Sequence, residues 1–142
     1  MYVEKQYAVD TGFRMINTKM VNFEDTFFLE NIIYNELICR GYSVDVGVVE
    51  LRETGESGKQ HRVPCEIDFV VNRGPKRYYI QAALNIDSES KAKTELRPLM
   101  NTGDFFKKII ITKTTSKSWF DENGICHLGL YEFLLNEQAL DF

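Results

Sequence analysis

The residue pattern predicts an α/β fold, a mixed sheet flanked by helices in the order αβββαβ. Three observations carry that expectation. The apolar positions Phe28, Leu29, Ile32, Ile33, Leu37 and Ile38 recur at helical spacing and run into Gly41, which predicts a helix over 24–40. Three strand-like runs follow at 42–51 (YSVDVGVVEL), 65–71 (CEIDFVV) and 78–84 (YYIQAAL). A second helical stretch and the β-branched run KKIIIT at 107–112 then complete the order.

The connections are read from their turn residues. Residues 1–20 form an N-terminal lead-in, with a short strand over 6–9 that ends in the turn signal Asp10-Thr11-Gly12; the remaining residues, 21–142, form one domain. Residues 52–62 (RETGESGKQHR) are polar and lack an apolar anchor, so they read as a mobile loop. Gly74-Pro75 marks a hairpin between the second and third strands. The second helix starts near Ser88 or Ser90 and is interrupted by Pro98. A fifth short strand is expected over 125–128, and LYEFLLN at 130–136 is expected to dock as a final turn or short helix.

The bulk numbers exclude several classes. A length of 142 residues suits one domain with a core, and 44% hydrophobic with 27% charged residues is a globular balance. No apolar run approaches the roughly 18–20 residues that span a bilayer, and the N-terminus lacks the basic start and apolar stretch of a secretory signal. Cys39, Cys65 and Cys126 are scattered and odd in number, and only His61 and His127 accompany them, so the reading is reduced buried thiols in a cytoplasmic protein rather than zinc ligands. A net charge of −4 argues against a dedicated nucleic-acid coat. Two basic clusters stand out against it: Arg73, Lys76 and Arg77 in one turn, and Lys91, Lys93 and Arg97 on the second helix, and both read first as solvated charge. His127 reads as a packing or capping histidine, and Trp119-Phe120 either anchors a partner or folds back on the core.

Chemistry concentrates at Glu66-Ile67-Asp68-Phe69-Val70-Val71. Strand alternation puts Glu66 and Asp68 on one face and Ile67, Phe69 and Val71 on the core face. Paired carboxylates on a sheet need water, a cation or basic groups to accept them. The hairpin brings Asp68 beside Gln81, and with Glu30 from the first helix these oxygens suit a hard cation such as Mg²⁺ or Mn²⁺. A plainer account is equally open: the acids form solvated surface, and Gln81 is a buried amide that satisfies backbone groups.

These residues also carry a resemblance. Glu-Ile-Asp-Phe-Val followed by Tyr79-Ile80-Gln81-Ala82 resembles the PD-(D/E)XK, restriction-endonuclease-like superfamily. The ordered set from Tyr7-Ala8-Val9-Asp10-Thr11-Gly12-Phe13-Arg14, through Leu29-Glu30-Asn31 and Arg40-Gly41-Tyr42, to Arg97-Pro98-Leu99 looks like a domain of unknown function at the C-terminus of prokaryotic AAA+ ATPases. The match covers the chain from about Lys5 to Leu135. The resemblance implies a restriction-endonuclease-like core with Glu30 as the helix acid, Asp68 as the metal-binding aspartate with Glu66 beside it, and Gln81 at the (D/E) position. The motif lysine falls at Ala83, and Lys91 or Lys93 is the expected substitute if the basic group has migrated. Loss of a preorganised cation beside the reacting phosphate removes several kcal/mol of transition-state stabilisation, so the expectation is a degenerate site. The implied function is an accessory domain that binds DNA or a partner for an ATPase module. An active Mg²⁺-dependent DNA endonuclease and a purely protein-docking domain are the alternatives. Gly55-Glu56-Ser57-Gly58-Lys59-Gln60 fails the phosphate-binding loop pattern, so no ATP site or ATPase activity is expected in this chain.

Overall fold

The computed structural model describes residues 4–10, 25–55 and 58–141. Helix α1 (Asp25–Cys39) leads into strands β1 (Ser43–Thr54), β2 (Gln60–Arg73) and β3 (Lys76–Ala83). Helix α2 (Glu89–Met100), strand β4 (Lys107–Thr112), the two-residue strand β5 (Trp119–Phe120), strand β6 (Cys126–Gly129) and helix α3 (Leu130–Leu135) follow. The six strands form one mixed sheet in the order β1-β2-β3-β4-β6-β5. The pairs β3–β4 and β4–β6 are parallel, and the other three are antiparallel. The expected αβββαβ order is therefore present, with helices on both faces of the sheet. No helix among the described residues is long and apolar enough to cross a membrane.

Local chemistry explains the element ends. Gly41 takes a φ of 77°, which a side chain rarely tolerates, and lets the Gly41 and Tyr42 amides close on the Ile38 and Leu37 carbonyls of α1. Ser88 caps α2, its hydroxyl accepting from the Lys91 amide at 3.3 Å. Ser88→Ala should therefore cost about 1 kcal/mol, read as a lower midpoint in urea with an unchanged slope. Pro98 does not interrupt α2, which runs on to Met100. It lies in the last turn, where its missing N–H forfeits a single helical bond, and its ring is buried.

One face of the sheet packs on α1 and α3 through Leu29, Ile33, Leu37, Phe69, Ile80, Ile109, Ile111 and Phe133. The other packs on α2 through Ile67, Tyr79, Ala83, Leu96, Leu99 and Ile110. This division corrects the strand alternation expected for β2, because Ile67 faces α2 while Phe69 and Val71 face α1. The reason is a bulge. Between the pairs Asp45↔Val70 and Gly47↔Ile67, β1 advances two residues and β2 three. Gly47 allows the close approach: a Cβ there would stand 2.7 Å from Val70 Cγ2.

The polar stretch 52–62 is not the loop its composition suggests. Pairing continues through Arg52↔Arg62, Glu53↔His61 and Thr54↔Gln60, leaving only a short connection beyond. Cross-strand charge replaces apolar anchoring there, with Arg62 Nη1 2.8 Å from Glu50 Oε2. Residues 6–9 are not a sheet strand. The buried Asn31 amide bonds both polar groups of Ala8, at 2.8 Å to its N–H and 2.7 Å to its carbonyl, and so acts as the missing strand partner. Thr11 and Gly12 of the turn expected at Asp10-Thr11-Gly12, and the lead-in residues 13 and 14, lie outside the described residues. Cys126 is buried as expected, whereas Cys39 is exposed at the end of α1. His127 is buried against Asp121, Nε2 to Oδ2 at 3.0 Å, and the half-exposed Trp119 stacks on its ring at 4.0 Å.

Candidate functional site

The site lies where the sheet forks. β2 and β3 pair from Arg73↔Lys76 to Phe69↔Ile80. Past that point β2 continues with β1, while Gln81–Ala83 continue with β4. A fork exposes backbone groups that the ladder no longer satisfies, and two side chains take them up. Asp68 Oδ2 accepts from the Ala82 amide at 2.9 Å, and Gln81 Oε1 accepts from the Asp68 amide at 3.3 Å. The Gln81 side chain also lies toward Glu95 on α2 and favours its ionised form. An amide meets both demands, its oxygen toward an N–H and its NH₂ toward a carboxylate. An acid at 81 would face Glu95 with like charge.

The structure brings Glu30, Glu66 and Asp68 together, as the sequence suggests, and places a residue among them that the sequence reading passed over. The Lys5 ammonium lies 3.2 Å from Glu30 Oε2, 2.6 Å from Glu66 Oε1 and 2.8 Å from Asp68 Oδ1. Three donors thus meet three carboxylates. Tyr7 adds a second contact from the same segment, its hydroxyl donating to Glu30 Oε2 at 3.1 Å and its ring stacking on Tyr34 at 4.4 Å. The bulge at Asp68 makes this convergence possible, because it turns Asp68 to the side of the sheet that carries α1 and the N-terminal segment.

The expected substitutes lie elsewhere. Lys93 pairs with Glu89 in solvent at 2.6 Å, and the Lys91 ammonium bonds Asn85 while its charge reaches Glu95. Ala83, at the motif-lysine position, is buried against α2, where a lysine would have no room to reach the acids. Lys5, Tyr7 and Glu95 are the site residues missed by sequence. The available signal was electrostatic: three convergent acids required a cation, and Lys5 and Tyr7 alternate on a segment that, among the described residues, is not committed to the sheet.

Burial and charge act against each other in this cleft. Burial pushes the Asp68 carboxyl up, with Lys5 opposing. Burial and the Asp68 charge raise Glu30. Glu95 is raised by burial and by Asp68, against Lys91. Burial works against the Lys5 ammonium, yet Asp68 and the other acids outweigh it and hold its pKa above the ordinary value. Burial and Glu30 likewise raise the Tyr7 phenol.

This donor set does not fit a bound Mg²⁺ or Mn²⁺ with Lys5 in place. The ammonium occupies the point on which the three carboxylates converge, and Asp68 Oδ2 is engaged by the backbone. Among the described residues no group of three His, Cys, Asp or Glu side chains is arranged to hold a metal ion.

Comparison with known proteins adds a relative to this picture. No family model matches the chain, and no solved structure matches it. A protein of Haemophilus influenzae, described as uncharacterized, is 34% identical over 110 residues, covering 76% of this chain. The chain spans 23% of that protein's length.

Proposed function

We propose that this chain is a nuclease-like accessory domain whose PD-(D/E)XK-pattern cleft has become a structural one, serving DNA or partner binding in a prokaryotic AAA+ type ATPase. The observation that carries the reading is the Lys5 ammonium, held by Glu30, Glu66 and Asp68 where a metal-dependent nuclease would need a cation. Gln81, accepting from the Asp68 amide, and the buried Ala83 support it. The ATPase parent rests on the sequence resemblance. It agrees with a relative more than four times as long as the matched stretch. Unpaired cysteines accord with the cytoplasm.

A second reading has one observation in its favour. Lys5 lies 2.8 Å from Asp68 and brings a basic group back beside the aspartate after its loss at Ala83. In that case the domain is an Mg²⁺-dependent DNA endonuclease with Lys5 as the relocated lysine. Incubation with supercoiled plasmid and branched DNA, with Mg²⁺ or Mn²⁺, separates the two. The accessory reading expects intact DNA from the folded wild type. Metal-dependent nicking abolished by both Asp68→Asn and Lys5→Met would overturn it in favour of the endonuclease. Absence of any nucleic-acid binding would reduce the domain to protein docking.

A further inference from the structure

At the opposite end of β3 from the acidic cleft, the chain presents aromatic and basic groups together. Lys76 and Arg77 open β3, and Lys107, paired with Tyr78, opens β4. The segment before β4 carries Phe105 and Phe106. These side chains surround an open depression of about 420 Å³. From Lys76 to Gln81 the strand rises roughly 16 Å, so this surface is separate from the fork.

The aromatic pair is held in place. Asp104 accepts from the Tyr79 hydroxyl at 2.6 Å and from the Phe106 amide at 3.2 Å, which fixes the turn. Phe106 is set edge-on to Tyr79 at 6.3 Å, with the Arg77 guanidinium 5.3 Å from its ring centre. Phe105 is left fully in solvent, at 104% exposure. A phenylalanine displayed by a fixed turn contributes nothing to the core and offers an open ring face.

The charge around it differs in sign from the whole. The chain carries −4, yet among the described residues Lys76, Arg77 and Lys107 line this depression with Asp141 as the acid, the Lys107 ammonium also donating to the Leu140 carbonyl at 2.9 Å. That acid is occupied, its Oδ1 taking Lys76 Nζ at 2.7 Å and the Tyr78 hydroxyl at 2.6 Å. Of the basic cluster read from sequence, Arg73 turns away to the α1 face, where it bonds the Arg40 carbonyl and covers Tyr42. Lys107 joins from β4 in its place.

We infer that this end of the sheet binds single-stranded nucleic acid, with Phe105 as a base-stacking platform and Lys76, Arg77 and Lys107 tracking the phosphates. The pairing of an open aromatic face with a local excess of cations is what a flexible polyanion with stackable bases requires. The inference rests on the nucleic-acid arm of the accessory-domain reading and assigns it a surface away from the cleft.

Fluorescence anisotropy of the full chain with short labelled oligo-dT and oligo-rU tests it, across about 50 to 200 mM salt. Affinity should fall with salt, with a logarithmic slope near −2 for three phosphate contacts at about −0.7 each. Phe105→Ala removes no buried contact and should weaken binding about tenfold with the slope kept. Arg77→Ala should weaken binding and flatten the slope by about 0.7. Lys113→Ala, with folding checked by circular dichroism, should bind as wild type does. Binding to either sugar upholds the inference, and the tighter one identifies DNA or RNA. Oligonucleotide binding indifferent to Phe105→Ala and Arg77→Ala, or altered only by Asp68→Asn, overturns it while the accessory-domain reading stands. Failure of the wild type to bind either oligonucleotide, with or without capture by anionic lipid vesicles, overturns the inference and the nucleic-acid arm together.

Discussion

Lys5→Met should lower stability by about 3 kcal/mol at neutral pH, because it strands three carboxylates around a vacated ammonium position. The Lys5 side chain is only 16% exposed, and those of Glu30 and Asp68 13% and 8%, so water screens them weakly. At about 4 °C per kcal/mol for a domain of this size, the melting temperature should fall by roughly 10 °C. The deficit should depend on pH in a definite direction. Asp68 and Glu30 already sit above ordinary carboxylate values through burial, and Lys5 is the main influence pulling them down. Its removal raises them further. A carboxylate with a raised folded-state value favours the folded state most at low pH and loses that contribution as pH rises through the folded value. The variant should therefore recover on going from about pH 8 to about pH 5.

In the wild type the lysine has its own window. Its folded-state value lies above 10.5, so its contribution is complete below that pH and disappears only in stronger alkali. Pairing Lys5→Met with Asp68→Asn should restore much of the loss, because one buried charge goes with its partner and the introduced amide oxygen still accepts from the Ala82 N–H. Thermal melts of the two single variants and the double variant would show this as strong non-additivity. Additive losses would mean that Lys5 acts through packing of its stem.

Arg40→Met should cost a similar amount, about 3 kcal/mol, through a different mechanism. The Arg40 side chain is 7% exposed and pairs with Glu36, Nε to Oε1 at 2.7 Å. Its guanidinium donates to the Phe133 carbonyl and, at 3.1 Å, to the Asn136 carbonyl, while its plane lies 4.6 Å from the Phe133 ring. These are the last carbonyls of α3, which is too short to hold itself together. Methionine fills the volume and leaves those acceptors unpaired. Hydrogen exchange should find the loss concentrated in residues 130–141, with β3 and β4 still protected. Uniform loss across the sheet would argue against this capping role.

How far the sequence foretold these features depends on the range of the interaction involved. KKIIIT predicted β4 to the residue because a buried parallel strand is a contiguous apolar run, a purely local signal. α1 was equally legible from its repeating Leu29, Ile33 and Leu37. The polar extension of β1 and β2 was not, since its residues face solvent and are held by partners across the hairpin. The bulge was hidden for a related reason: an alternation argument assumes an unbroken period of two, and Asp68 breaks it. Asp68 and Gln81 were legible as a pair because the hairpin at Gly74-Pro75 fixes their approach, and Glu30 joined them as the helix acid that the resemblance implies. Lys5 was not, because its partners lie 25 and 63 positions away at Glu30 and Asp68, and nothing in its neighbours announces them. The same holds for Asn31, whose amide acts on Ala8 across the fold.

The fork in the sheet makes the outer part of the β1–β2 hairpin a propped arm. Beyond Phe69 it leaves β3 and runs on as a two-stranded ribbon, a form that is marginal by itself, and Glu53, one pair from the end of the ladder, ties it to Arg97 of α2. Force applied at the tip travels down β2 and arrives at Asp68, whereas Gln81 and Ala82 are anchored in β3 beside β4. Whatever grips that arm would load the Glu53–Arg97 tie to α2 and, through β2, one jaw of the cleft, leaving the other where it is.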